Sequence, residues 1–154
     1  RITAAPMFDE PLVILTPAGH PWAGREDVSP DELDDENLLL LDEGNCLRDQ
    51  TLALCQRYGN RPPVAVATTL STVMRMVAHG VGVTVIPEGA LGMLGSADTH
   101  GVARFADPAP VRHIALVHRA SSSRTEDFAQ LAEIGTALIR DTGLPIREFT
   151  SPTA

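Results

Sequence analysis

The chain has 154 residues, 44% hydrophobic and 21% charged, with a formal net charge of −8. That length suits one ordinary domain or two small lobes, with enough apolar material for a core. Twenty acidic residues against 12 scattered basic ones argue against nucleic-acid binding by these residues themselves, and the apolar runs are far too short to span a membrane.

The chain opens without Met, at Arg1-Ile2-Thr3-Ala4-Ala5-Pro6, and reads as a fragment or a processed chain. No secretory signal opens it, so a reducing cytoplasm is expected, where stable disulfides are unusual. Pro11-Leu12-Val13-Ile14-Leu15-Thr16 reads as a strand ended by Pro17-Ala18-Gly19. Ser29-Pro30-Asp31-Glu32-Leu33 carries helix-start chemistry: a capping serine, proline at the first position and acids in the first turn. Leu38–Leu41 is a continuous apolar run, as in a strand covered on both faces.

Asp42-Glu43-Gly44-Asn45 is turn chemistry, and a helix is expected from about Cys46, stopped by Tyr58-Gly59-Asn60. Val64–Thr68 is a further strand. Thr69 can cap a helix from Leu70 to His79, with Leu70, Val73, Met74 and Val77 on one face and Gly80 just past its end. Gly82–Pro87 is a strand closed by proline. Residues 88–99 suggest a short helix and loop, and Val102–Phe105 a short strand. His113–Arg119 is a clear strand. The last helix runs from about Ser123 to Arg140, with Phe128, Leu131, Ile134 and Leu138 at helical spacing. A loose tail follows Gly143. Alternating strands and helices point to an α/β fold with a mostly parallel sheet.

Two cysteines are too few for the common Cys-rich zinc sites. The histidines His20, His79, His100, His113 and His118 are scattered, with no i, i+4 pair, so no metal and no cofactor are expected. No Gly-x-Ser-x-Gly, P-loop or dinucleotide fingerprint is present. The chemistry lies in Cys46 and Cys55. Cys46 falls at a predicted helix N-terminus, where free backbone N–H groups and the helix dipole favour a thiolate. Arg48 is close in sequence and adds positive charge. A thiolate is the species that peroxide oxidises.

Cys55 lies nine residues later in the same predicted helix. Nine helical residues span about 13.5 Å and place the two side chains about 180° apart. A disulfide needs Cα atoms about 4.4–6.8 Å apart. Pairing therefore requires the segment to unwind, which is the property of a two-state switch. The alternative reading is two inert thiols, with Cys55 a small buried hydrophobe among Leu52, Ala53 and Leu54.

Cys46-Leu47-Arg48-Asp49-Gln50, with a second cysteine nine positions after the first, resembles the OxyR branch of the LysR-type transcription regulators. The similarity extends through Phe8-Asp9-Glu10-Pro11 and His20-Pro21-Trp22-Ala23. It continues in Ala67-Thr68-Thr69-Leu70, Gly80-Val81-Gly82-Val83-Thr84, Arg112 and Leu116-Val117, covering about residues 7–140. The resemblance implies a LysR-type effector-binding, periplasmic-binding-protein-like α/β domain: one complete lobe plus part of the second. Residues 1–13 would be a remnant of the first lobe and its crossover strand. Residues 14–112 would form the second lobe, 113–144 the return strand and last helix, and 145–154 a flexible tail.

It further implies a hydrogen peroxide sensor rather than an enzyme. Cys46 would be the sensing thiol, oxidised to a sulfenic acid and then to a disulfide with Cys55. Arg112 would stabilise the thiolate, Gly44, Asn45 and Leu47 would form the peroxide pocket, and Arg48 and Asp49 would support the switch. The implied setting is a cytoplasmic homo-oligomer, a dimer or tetramer in the full-length protein. It would grip DNA through an N-terminal domain absent here, recruit RNA polymerase, be reset by a thioredoxin- or glutaredoxin-type reductant, and have no membrane role. The family often has His where Asn45 stands, and an amide does not titrate near neutrality. Strands near residues 1–13 and 113–119 are expected to lack partners if the first lobe is incomplete.

Two rival functions remain. One is a LysR-type domain that senses a small organic effector in the cleft between lobes, with Thr68 and Thr69 at that cleft and incidental cysteines. The other is a small thiol peroxidase, against which stands the absence of a Pro-x-x-x-Thr-x-x-Cys arrangement.

Overall fold

One uninterrupted strand, β1 (Ile2–Pro17), organises the computed structural model, which describes residues 1–58, 63–95 and 97–150. The chain divides into two units. The smaller comprises Arg1–Pro11 and Val111–Ala154, and the larger Leu12–Pro110.

In the larger unit β1 is central and antiparallel to both neighbours. Leu12–Leu15 pair with β4 (Thr84–Pro87), and Val13–Pro17 with β5 (His100–Arg104). β2 (Leu39–Leu41) pairs in parallel with β3 (Ala65–Ala67). A parallel bridge from Leu38 to Val83, with Leu39 N donating to Val83 O at 2.8 Å, joins β2 to the segment entering β4. Gly82 makes that approach possible: a Cβ there would stand 2.0 Å from the Asn37 carbonyl oxygen.

The sheet is thus not mostly parallel, as the alternation of elements suggested. The parallel part is the segment in which helices connect the strands: β2, α1 (Cys46–Tyr58), β3, α2 (Leu70–Ala78) and β4. Such crossovers need a helix-length connection. β1 lies outside that series and runs against its partners. The core fills the space between strands and helices with Ile14, Leu15, Leu39, Leu40, Val73, Val77, Val85 and Ile86. All three residues of β2 are buried, as a run covered on both faces requires. The stop expected at Tyr58-Gly59-Asn60 falls partly on residues 59 and 60, outside the described residues.

In the smaller unit the first part of β1 does find a partner, contrary to expectation. It pairs antiparallel with β6 (Val111–Arg119), from Ile2↔Arg119 to Pro11↔Val111. The register slips between Pro6 and Phe8, where proline lacks a donor for the ladder. α3 (Thr125–Asp141) lies on this ribbon through small residues: Ala132 and Thr136 are buried, and Gly135 comes so near β1 that a Cβ would meet the Met7 side chain at 2.9 Å. Leu131, Ile134 and Leu138, the residues whose spacing marked the helix, remain exposed at 52%, 57% and 61%. His118, on β6, stacks on Phe128 with ring centroids 4.6 Å apart.

The segment after Gly143 is held rather than loose as far as residue 150. Arg147 and Asp9 exchange backbone hydrogen bonds of 2.8 and 3.1 Å. The buried Asp9 carboxylate accepts from Thr150 N at 2.9 Å and from its hydroxyl at 2.5 Å, and His113 Nδ1 lies 2.6 Å away. Burial alone pushes the Asp9 carboxyl up, but the bonds from Thr150 and His113 together leave it below its ordinary value. The remainder of the tail, residues 151–154, lies outside the described residues.

Candidate functional site

The turn before α1 is built from local hydrogen bonds. Asp42 accepts from Glu43 N through its side chain at 2.8 Å and from Asn45 N through its carbonyl at 3.3 Å. Gly44 sits at φ +86°, a left-handed conformation in which a side chain is strained. Asn45 caps the helix. Its Oδ1 accepts from Leu47 N at 3.0 Å, and its carbonyl accepts from Arg48 N at 3.0 Å.

Cys46 follows as the first residue of α1, exposed and with a free thiol. It therefore stands among the unpaired N–H groups of a helix start, where negative charge is favoured. Leu47 turns inward and is buried at 6% exposure. Thr51, one turn on, returns its hydroxyl to Leu47 O at 2.8 Å, which ties the first turns together. Arg48 directs Nη1 to the Leu41 carbonyl at 2.9 Å, closing the end of β2. Asp49 is exposed in the first turn, where an acid suits the helix dipole. A narrow crevice beneath the turn is bounded by Leu41, Leu47, Arg48, Thr51, Leu70 and Thr84.

Cys55 lies within the same unbroken helix and is 7% exposed, with a free thiol. Burial pushes its pKa up, and the negative charge of Asp34 adds to the rise. The two thiols therefore stand in different surroundings. Cys46 is accessible at a helix start, whereas Cys55 is apolar in its surroundings and held as the thiol. Along the helix they are about 13.5 Å apart, roughly twice the reach of a disulfide.

The other expected residues fall elsewhere. Arg112 belongs to the smaller unit, where its Nε and Nη2 both bind Glu10 Oε2, at 2.8 and 2.6 Å. That carboxylate partner was not part of the sequence reading, although Glu10 stands in the Phe8–Pro11 stretch that carried the resemblance. Thr69 uses its hydroxyl as the cap of α2, accepting from Thr72 N at 3.2 Å, while Thr68 is exposed beside it. Asp34 was also missed, since nothing in its local sequence marks it as a neighbour of Cys55. Among the described residues no group of three or more His, Cys, Asp or Glu is placed to hold a metal ion, and no helix is long and apolar enough to cross a membrane.

Residues 1–137 match the family model of the LysR substrate binding domain. A "Probable hydrogen peroxide-inducible genes activator" of Mycobacterium avium is 44% identical over 140 residues, which is 90% of this chain and 45% of that protein. Among solved structures, a cysteine mutant of Corynebacterium glutamicum OxyR superposes with a TM-score of 0.78 at 36% identity, covering 97% of this chain and 49% of that one. The peroxide-bound form of a cysteine-to-serine mutant of the same protein gives 0.77 at 35% identity, covering 95% and 49%. The chain spans about half the length of these relatives.

Proposed function

The chain belongs to the family of LysR substrate-binding domains, and we propose that it is the peroxide-sensing regulatory part of a transcription regulator, with Cys46 as the sensing thiol and Cys55 as its resolving partner. The observation that carries this reading is the contrast within α1: an exposed thiol at the helix start and a buried one too far along the same helix to reach it. The names and ligands of the similar proteins support it, since they include peroxide-inducible activators and a peroxide-bound structure.

The chemistry balances in two steps. The Cys46 thiolate attacks one oxygen of hydrogen peroxide. The O–O bond breaks, the sulfur becomes a sulfenic acid, and the departing hydroxide takes a proton to leave as water. Cys55 then attacks that sulfur, and its proton leaves with the hydroxyl as a second water. The second step requires α1 to unwind, so the disulfide holds a local structure that the reduced chain does not prefer. A dithiol reductant of the thioredoxin or glutaredoxin kind would reverse it.

Gly44, Asn45 and Leu47 flank Cys46 and are the residues expected to form the peroxide pocket. Asn45 here has a second task as the helix cap, which ties the pocket to the stability of the helix. Arg48 and Asp49 support the first turn of the switch. Arg112 is proposed as the cation that favours the thiolate; for that role it would have to share its charge with Glu10, which it already binds. The unit Leu12–Pro110 corresponds in this reading to the second lobe of the family, and Arg1–Pro11 with Val111–Ala154 to part of the first. In the whole protein the switch would act in the cytoplasm, through a homo-oligomer, on DNA bound by another domain and on RNA polymerase. The Thr69 hydroxyl serves as the cap of α2, and sensing falls to Cys46 rather than to an effector bound at Thr68 and Thr69.

Mass spectrometry under non-reducing conditions, before and after a small excess of peroxide, tests the assignment. The expected result is a loss of two mass units linking Cys46 to Cys55. Cys55→Ser should stop at a trappable sulfenic acid on Cys46, and Cys46→Ser should not react. Two thiols that stay free in peroxide refute the reading. Sustained peroxide consumption with a reductant present would favour a thiol peroxidase instead.

A further inference from the structure

The smaller unit holds a cavity that the two cysteines do not use. Its volume is about 360 Å³, at the low end for a small-molecule site. Its walls all come from one stretch of chain, Val117 to Phe128, where β6 ends, turns and enters α3. Successive residues of a strand face opposite ways. Val117 and Arg119 therefore share one face of β6, His118 lies on the other, and the cavity reaches round the end of the strand.

His118 is its polar centre. The residue is 9% exposed, with Phe128 stacked on its ring at a centroid distance of 4.6 Å. Its Nδ1 lies 3.1 Å from Arg119 O. A carbonyl oxygen only accepts, so Nδ1 carries the proton and the neutral ring keeps a lone pair on Nε2. The same carbonyl accepts from Ser122 N at 3.0 Å, which fixes the turn and with it the tautomer. Nε2 meets no donor among the described residues. A buried side chain that presents an unmet acceptor to a cavity calls for a ligand that donates.

Around His118 stand a cation, two hydroxyls and two apolar walls. The Arg119 guanidinium has no carboxylate partner among the described residues, whereas Arg25, Arg104, Arg112 and Arg124 each bind one. Ser121 is exposed, and Ser122 accepts from Arg124 N at 3.2 Å through Oγ, which leaves its own proton to donate. Val117, 65% exposed, and Phe128 are the apolar walls. The start of α3 adds little for an anion. Glu126 and Asp127 already occupy its first turn, and Asp127 binds Arg124 at 2.7 Å. Positive charge for a ligand therefore comes from Arg119.

We propose that this cavity binds a small hydroxy acid. The hydroxyl donates to His118 Nε2, the carboxylate takes Arg119 and the serine hydroxyls, and a compact carbon body lies against Val117 and Phe128. The site goes beyond the peroxide reading and contains neither cysteine. Each part of the ligand answers one feature of the cavity. A bare oxyanion would leave the apolar walls uncovered, and a neutral alcohol would leave Arg119 unpaired.

The test uses the intact, reduced protein with isotope-labelled histidine, at a pH well above the ordinary histidine pKa of about 6.5, and 4-hydroxybenzoate as the probe. The expected result is a saturable shift of the His118 ring signals, half complete at about 1 mM or below. Calorimetry then ranks analogues and variants. Benzoate lacks the hydroxyl and phenol lacks the carboxylate, and each should bind at least about tenfold more weakly. Arg119→Gln, at an exposed position, should lose at least about tenfold in affinity for 4-hydroxybenzoate. His118→Phe keeps a ring against Phe128 and should bind 4-hydroxybenzoate and benzoate alike. The analogue series and Arg119→Gln suffice if that variant does not fold. No saturable shift at His118 overturns the inference. So does benzoate or phenol binding as tightly as the probe, inorganic phosphate displacing it at equal concentration, or an Arg119→Gln protein that binds like the parent. None of these results bears on the two-cysteine reading, whose test is the disulfide.

Discussion

Replacing Asn45 by alanine removes the side-chain oxygen that accepts from Leu47 N at 3.0 Å and nothing else from the helix interior. Loss of such a cap costs about 1 kcal/mol. Because α1 must open before the disulfide can form, destabilising its start by that amount raises the open population, and with it the rate of disulfide formation, by up to about fivefold. The helix dipole persists, so the first oxidation of Cys46 should change less than the second step. The assay pairs chemical denaturation, for stability, with quenched oxidation, for the two rates. Asn45→Asp is the companion variant: it caps the helix as well as asparagine, so stability should hold. Its negative charge beside Cys46 should slow sulfenic acid formation. An Asn45→Ala protein that loses about 1 kcal/mol yet forms disulfide no faster would refute the claim that opening of α1 limits the switch.

Gly82→Ala should lose about 1–3 kcal/mol in denaturant titration, since its methyl would fall 2.0 Å from Asn37 O and must push β2 and the approach to β4 apart. Leu39→Ala, at a fully buried position of β2, should lose about 2–5 kcal/mol in the same measurement. Asp9 has a folded pKa below its unfolded value of about 3.9. Its stabilising contribution is therefore complete above that value and lost as pH falls through the folded one. Asp9→Asn should be less stable than the parent at pH 6, and the gap should close as pH falls below about 4; denaturation midpoints from pH 3 to 7 check this.

Most elements were legible because each carries a local signal. The strand at Leu38–Leu41, the Thr69 cap, the proline that ends β4 and the helix beginning at Cys46 all follow from residues within a few positions of one another. What failed was information held between distant segments. The alternation of elements says that strands and helices follow one another, but not that β1 would run as one strand of 16 residues against β4, β5 and β6. α3 shows a second limit. Its apolar spacing identified the helix, yet Ala132 and Thr136 are the buried residues, because small side chains let the helix approach the ribbon. At the site, the two cysteines and the helix start were readable from spacing. Their controlling neighbours were not. Glu10 meets Arg112 from 102 positions away, and the charge of Asp34 bears on Cys55 because the 3-10 turn Pro30–Asp35 packs on α1. Asn45 was read as a pocket residue, and its capping role became evident only from the bond to Leu47 N.

Amide hydrogen exchange across α1, before and after one equivalent of peroxide, reports opening of the helix that separates the two thiols. Leu47–Cys55 should be protected in the reduced protein and lose that protection on oxidation. That loss should be absent in Cys46→Ser and Cys55→Ser and reversed by a dithiol reductant. A Cys46–Cys55 disulfide that forms while α1 keeps its protection would show that the helix need not open for the thiols to pair.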